Sequence, residues 1–383
     1  MLRELGRPNL MISSASLASF SVLMARLALP MFCLSPSVAQ SALNKPASQP
    51  ASFQSATAVP GVPLSQESAR PPAETSGQSA GVEDDPQQIE SLRNLIATGN
   101  FGEAEPLLRT YLAAHPASWK AYHLLGYVLL RERRIVDSVK ALSKSLELNV
   151  NNAGAHELLG RALTVAGRYD FAMREFDQAL RLEPNSAEVY YHRGRVYSIQ
   201  DDFPRATKEF QKAIELDPAY MEAYNAQGFA LEALGNDAGA LESYQNAMRL
   251  NEVRHGKFDA PYVNMSGYYN SRGKLDLAVE YARKALELNP NSDLAYFQIG
   301  KACRTQGDWE GEIAALGKAV AIRPTSSQYH YVLSIAYRKV GKLAESEQAL
   351  ETFRRLEKQT ADREAQRREA QRRERGLELR PSD

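Results

Sequence analysis

Cysteine is nearly absent: Cys33 and Cys303 are the only two in 383 residues. A disulfide-stapled fold and a cysteine-based zinc site are thereby excluded. Charge of one sign is also missing. Lys and Arg number 46, Asp and Glu number 46, and the formal net charge is zero. The chain as a whole therefore lacks the electrostatic footprint of a nucleic-acid binder. No HExxH pair, Gly-rich phosphate loop or GxSxG elbow occurs, so the common metalloprotease, nucleotide and hydrolase signatures are missing. The six histidines (115, 123, 156, 192, 255 and 330) have no paired cysteines beside them. What is present is an ordinary globular mixture, 44% hydrophobic and 24% charged, which disfavours collagen and multi-span membrane proteins. Length alone suggests two to three domains.

Residues 1–39 carry Arg3, Arg7 and Arg26 against one acid, Glu4. An apolar stretch runs from Leu10 to Leu34, and Ser37-Val38-Ala39 follows it. Basic flank, apolar run and small residues are the parts of a cleavable export signal. The segment is long for one, and a start at Met11 or Met24 shortens it. An uncleaved membrane anchor is the alternative, against which Arg26 interrupts the apolar run. An organellar transit peptide is a third reading. The chain is thus expected to be exported, periplasmic or secreted, or else held to a membrane by its N-terminus. Residues 40–84 hold Pro46, Pro50, Pro60, Pro63, Pro71 and Pro72 among Ser, Ala, Gln and Gly, with Phe53 as the one aromatic. Such a stretch buries too little to offset its ordering entropy and is expected to be a disordered linker. As a coil it spans about 35–40 Å, as a tether or as a plain spacer.

From residue 85 the chain repeats every 34 residues. Gly126, Gly160, Gly194 and Gly228 mark the period, and Gly300 rejoins it after a four-residue insertion. Ser266 and Ser334 fill the same slot. Ala172, Ala206, Ala240 and Ala278 lie twelve residues beyond it. Ala179, Ala213, Ala247, Ala285 and Ala319 lie nineteen beyond. Tyr122, Tyr190, Tyr224, Tyr262 and Tyr296 stand four before. Pro184, Pro218, Pro290 and Pro324 close units, as Pro116 closes the first. Each unit holds two apolar stretches at helical spacing, such as Tyr122, Leu125 and Leu129, then Val139, Leu142 and Leu146. The small slots let two helices approach closely. Gly99, Gly167, Gly235, Gly273, Gly307 and Gly341 mark the turn between them, where a left-handed residue ends a helix.

This pattern resembles the tetratricopeptide repeat family. Tyr190, Gly194, Tyr197, Ala206, Phe210, Ala213 and Pro218 match its signature in one unit. The resemblance covers about 275 of 383 residues in units 85–118, 119–152, 153–186, 187–220, 221–258, 259–292, 293–326 and 327–360. It implies an all-α, right-handed superhelix (an α-solenoid) of about eight helix-turn-helix repeats. Three departures carry expectations. Leu92 fills the Gly slot of the first unit, which should loosen it. Glu312 fills an Ala slot of the seventh, which should splay its helices. The insertion, Glu252 to Phe258, should be a longer surface loop that bends the array or lets His255 and Lys257 touch a partner.

The resemblance also implies that the first helix of each unit lines a concave groove. By register the groove candidates are Tyr127, Arg161, Tyr191, Arg195, Phe229, Phe297, Lys301 and Arg304. Glu157 and Asn225 share those registers. Aromatic faces and arginine forks suit an extended or acidic peptide. The position three before the Gly slot holds no Lys in any unit, which disfavours the family's clamp for chaperone C-termini. Cys303 takes a slot filled by Tyr197, Tyr269 and Tyr337, so it is expected to be a buried structural thiol. Residues 361–383 read as a charged helical tail. Eight arginines lie between residues 354 and 375 against five acids, so a solvated face is favoured over a nucleic-acid arm. The expectation is a non-catalytic interaction scaffold, with no cofactor or metal and a protein or peptide partner. The alternative is a membrane-tethered envelope assembly or secretion accessory factor.

Overall fold

The computed structural model describes residues 84–378, and among them the chain is helical throughout, with no strand. The export and linker expectations fall outside the described residues. Sixteen helices follow one another among the described residues. The first four pairs are α1 (Pro86–Ala97) with α2 (Phe101–Ala114), α3 (Trp119–Arg131) with α4 (Ile135–Leu148), α5 (Ala153–Val165) with α6 (Tyr169–Leu182), and α7 (Ala187–Ile199) with α8 (Phe203–Leu216). The remaining four are α9 (Met221–Ala233) with α10 (Asp237–Val253), α11 (Ala260–Ser271) with α12 (Leu275–Leu288), α13 (Asp293–Gln306) with α14 (Trp309–Ile322), and α15 (Ser327–Lys339) with α16 (Leu343–Glu378).

Local chemistry sets these boundaries. Ser118, Asn152 and Ser186 accept the backbone N–H of Ala121, Ala155 and Val189, capping α3, α5 and α7. The turn inside each pair holds a left-handed residue at one fixed slot. Glycine fills it in six units, with φ between 70° and 82°. In the other two it is Arg133 and Asp201, at φ 62° and 60°. The same bend is thus made without glycine, at a cost in backbone strain.

The small slots are notches for a large residue sixteen positions on. A Cβ added at Gly160 would meet the Phe176 ring at 2.6 Å, one at Gly194 the Phe210 ring at 2.6 Å, and one at Gly228 the Tyr244 ring at 2.6 Å. Phe176, Phe210 and Tyr244 are fully buried there. The Ala slots have no exposed surface to speak of, because they lie where the paired helices cross. Serine in these slots is satisfied across the crossing. Ser138 Oγ donates to the Gly126 carbonyl at 2.7 Å, and Ser346 Oγ to the Ser334 carbonyl at 2.8 Å. Leu92, too large for the notch, leaves α1 less closely packed on α2 than later pairs are on each other, as expected. Adjacent odd-numbered helices touch along the array, and even-numbered neighbours do not to the same degree. The odd helices therefore form the inner layer of the curve.

Three expectations are corrected. Glu312 does not splay α13 from α14; it is fully buried at the crossing, where Arg304 donates to its carboxylate at 2.6 Å. Cys303 is half-buried rather than buried. The insertion is only partly loop: it extends α10 to 17 residues and then reverses at His255, φ 47°. Asn251 Oδ1 accepts the Phe258 N–H at 3.1 Å, and Phe258 packs into the core. The charged tail is helical as far as Glu378, and to there it continues the last repeat without a break as the 36-residue α16.

Candidate functional site

Helices α3, α5, α7, α9, α11 and α13 each present one face to the inner side of the curve. The eight candidates separate into three groups along it. Tyr127 on α3 is half-buried, edge-on to Phe101 at 6.3 Å, with Arg131 over its ring. In the centre, α5, α7 and α9 supply Arg161, Tyr191, Arg195 and Phe229. Further on, α13 supplies Phe297, Lys301 and Arg304.

The central group is more enclosed and more acidic than its register suggests. Tyr191 is 3% exposed, against Tyr220 at 5.0 Å and Phe210 at 6.0 Å. Burial pushes its phenol up to about 12. Arg195 is 8% exposed and lies over the Tyr191 ring at 5.6 Å. Burial lowers its guanidinium, as burial disfavours any charged form. Arg161 donates to Glu157 at 3.3 Å, one helical turn back. Glu157 is 3% exposed, and burial pushes its carboxyl up to about 7 against the pull of Arg161. His192 lies 3.9 Å from Glu157 and stacks on Phe176; burial holds its imidazole well below the usual range, so it is neutral. Glu222, at the start of α9, is also buried, which raises it to about 7. Phe229 is half-buried and edge-on to Phe203 at 6.0 Å.

In the distal group Phe297 is buried against Tyr329 at 5.1 Å. Arg304 is one-third exposed and committed to Glu312, with a further hydrogen bond to the Val332 carbonyl at 3.3 Å. Lys301 is half-buried; burial lowers its ammonium while Glu232 opposes that. Asn264 donates to Asn225 at 2.9 Å and Asn270 to the Gln298 carbonyl at 2.9 Å, joining consecutive inner helices. Sequence reasoning placed Glu157 and Asn225 on the face, but gave no role to Glu222, Tyr220 or His192. The Glu157–Arg161 pair was legible as an i,i+4 spacing. The others depend on how neighbouring helices nest.

Family models agree with this geometry. Tetratricopeptide repeat models match residues 92–153 and 269–327, and residues 187–220; a TPR repeat model matches residues 160–201. The chain belongs to the tetratricopeptide repeat family. No curated protein matches it. Among solved structures, the APC/C hetero-tetramer Cut9–Hcn1 is 19% identical over 66% of this chain and 49% of that one, at a TM-score of 0.57. A tetratricopeptide repeat protein from Parabacteroides merdae ATCC 43184 is 18% identical over 65% of this chain and 97% of that one, at a TM-score of 0.54. MamA is 23% identical over 45% of this chain and 99% of that one, at a TM-score of 0.39. The first two likenesses establish the shared solenoid fold. As a tetratricopeptide repeat protein the chain is a protein-interaction scaffold, a class typically without catalysis.

Proposed function

We infer that this tetratricopeptide repeat protein holds an extended peptide or protein segment along the inner face of α3 to α13 and brings partners together without making or breaking a bond. The observation that carries this reading is the sequence of half-buried groups along one continuous face: Tyr127, then Phe229, then Lys301. Half-buried aromatics offer rigid contact area at low entropic cost. Lys301 gives an acidic residue of the partner a point of attachment. Chemistry within the bound segment is left to the partner.

The test is site-specific photo-crosslinking in the full chain. A benzophenone amino acid replaces Tyr127 or Phe229 on the inner face, or Lys144 or Lys212 on exposed positions of the outer helices. Crosslinked partner is expected from the inner positions. Equal yield from Lys144 and Lys212 would refute the groove. The apolar, basic N-terminus favours an exported location, with a membrane-tethered assembly or secretion factor as the second reading. Among the described residues no helix is long and apolar enough to cross a membrane. Fractionation of the expressed protein, with its mature N-terminus sequenced, decides between cleavage and tethering.

A further inference from the structure

The central wall of the groove contains acids where its register announces bases. Glu157 is almost fully enclosed, yet it is the acid that meets Arg161. A second enclosed carboxyl, Glu222, lies one inner helix beyond Tyr191 on the same wall. Tyr191 and Tyr220 stand between the two: Tyr220 feels Glu157, Glu188 and Glu222, and Tyr191 feels Arg161, Arg195 and Glu222. Enclosed carboxylates are costly as anions, so each such site resists ionisation unless a cation compensates it. Glu157 has one compensating cation on its own helix, and Glu222 has Arg254 at a distance.

The geometry points to a proton-controlled binding face: protonation of Glu157 releases Arg161 from its intramolecular partner and removes negative charge from the α5–α9 wall, so that it takes an acidic peptide. The inference rests on the groove reading above and specifies how that groove is regulated. The groups facing Glu157 are Arg161 on its own helix, His192 and Glu188 on α7, Glu183 at the α6–α7 junction, and the Tyr220 phenol just ahead of α9. His192 is neutral, as described, and does not titrate with it near neutrality. Glu188 and Glu183 are like charges that raise Glu157 further. Glu222 faces Asp217 and Arg254. Both carboxyls are held near 7, so acidification from about pH 8 to about pH 6 adds up to two positive charges to one wall. No bond is made; a proton enters Glu157 and the Arg161 guanidinium becomes available to a carboxylate in its preferred forked geometry.

The probe is a fluorescein-labelled oligo-aspartate, whose side chains stay ionised across this range because their ordinary value is about 3.9. Anisotropy is followed with the full chain at about pH 6 and about pH 8, at constant ionic strength. Wild-type protein is expected to bind about tenfold more tightly at the lower pH, the size of one unit charge gained about 12 Å from a ligand carboxylate at an effective dielectric of about 20. Glu157→Gln is expected to bind more tightly than wild type at the higher pH, with only the dependence due to Glu222 left, and Glu157→Gln with Glu222→Gln is expected to bind equally at both. Arg161→Gln is expected to lose the tight state at both. Circular dichroism checks that each variant folds. Should Glu157→Gln fail to fold, carbon-13 NMR of glutamate carboxyls in the wild-type chain replaces it. A carboxyl titrating near neutrality, displaced when oligo-aspartate is added, supports the inference; none titrating above about 5 overturns it. Equal affinity at both pH values overturns proton control and leaves the groove intact. Tightening that survives Glu157→Gln combined with Glu222→Gln comes from neither carboxyl and also overturns it. No binding at either pH overturns the acidic-ligand claim, while the crosslinks at Tyr127 and Phe229 judge the groove independently.

Discussion

Replacing the notch glycines by alanine gives a graded test of how the repeats nest. In a helix interior, Ala is favoured over Gly by about 1 kcal/mol. An added methyl that collides with a packed neighbour costs about 1–3 kcal/mol. At Gly194 the new Cβ would lie 2.6 Å from the Phe210 ring edge and 2.7 Å from a second ring carbon. Phe210 is fully buried and cannot swing aside. At Gly300 the nearest atom is a Leu316 side-chain carbon at 3.3 Å, which a few tenths of an ångström relieves. The two substitutions are therefore expected to diverge. Gly194→Ala should lose about 0–2 kcal/mol, and Gly300→Ala should gain about 0.5 kcal/mol or be neutral, once propensity and collision are combined. Phe210→Leu in the Gly194→Ala background should recover part of the loss, a coupling of about 1 kcal/mol that distant sites do not show. Stacked repeats need not unfold in one step, so hydrogen exchange resolved by helix is read beside urea denaturation. Weakened protection should centre on α7 and α8. If Gly194→Ala is as stable as Gly300→Ala, the notches are not what sets helix approach.

Further outcomes follow from other contacts. Gly235→Ala meets nothing within 4 Å but must keep φ 74°, so it should lose about 1–2 kcal/mol from backbone strain alone, seen as a lower urea midpoint. Arg304→Ala leaves Glu312 buried without its cation and should cost about 1–3 kcal/mol, given that Arg304 is itself one-third exposed; Arg304→Met with Glu312→Ala should restore most of it in thermal melts. Glu157 binds its proton more tightly folded than unfolded, so between about 4.5 and about 7 the folded chain carries the extra proton. Its contribution is complete at acid pH and fades as pH rises through about 7. Wild type should thus lose about 1–3 kcal/mol relative to Glu157→Gln between about pH 5 and about pH 8, measured by urea midpoints across pH. Truncation after residue 360 removes the exposed side chains of residues 361–366 and should move the melting transition of the array by no more than about 0.5 kcal/mol in equivalent stability.

The repeat was legible because its marks are losses of side chain. Gly160, Gly194, Ala206 and Ala213 stand where two backbones meet, and only small residues fit, so the period is written in composition. The inner face was legible as a register but not as a chemistry. Arg161 and Arg195 read as bases, and one is matched by Glu157 on its own helix while the other is enclosed against Tyr191. The Glu157–Arg161 pair lies within one helix, but how deeply that pair and Arg195 are enclosed is decided by the neighbouring helices, which no single repeat contains. Glu312 was read alone as a misfit in an Ala slot. Its counterpart Arg304 comes eight residues earlier, across the α13–α14 turn, a spacing that no helical period flags. The insertion concealed Phe258, whose burial depends on Asn251 holding the reversal. The merger of the last repeat with the tail left no glycine or proline to mark a boundary, because the chain has none to mark.

That merger has a mechanical consequence. At about 1.5 Å of rise per residue, a helix of 36 residues is about 54 Å from end to end. Its early turns are anchored by Ala349 and Leu356 in the final repeat, and the side chains of residues 361–366 are exposed. It is a strut fixed at one end. Cargo joined to its outer turns would be carried at a set distance and direction from the spiral, as on a boom.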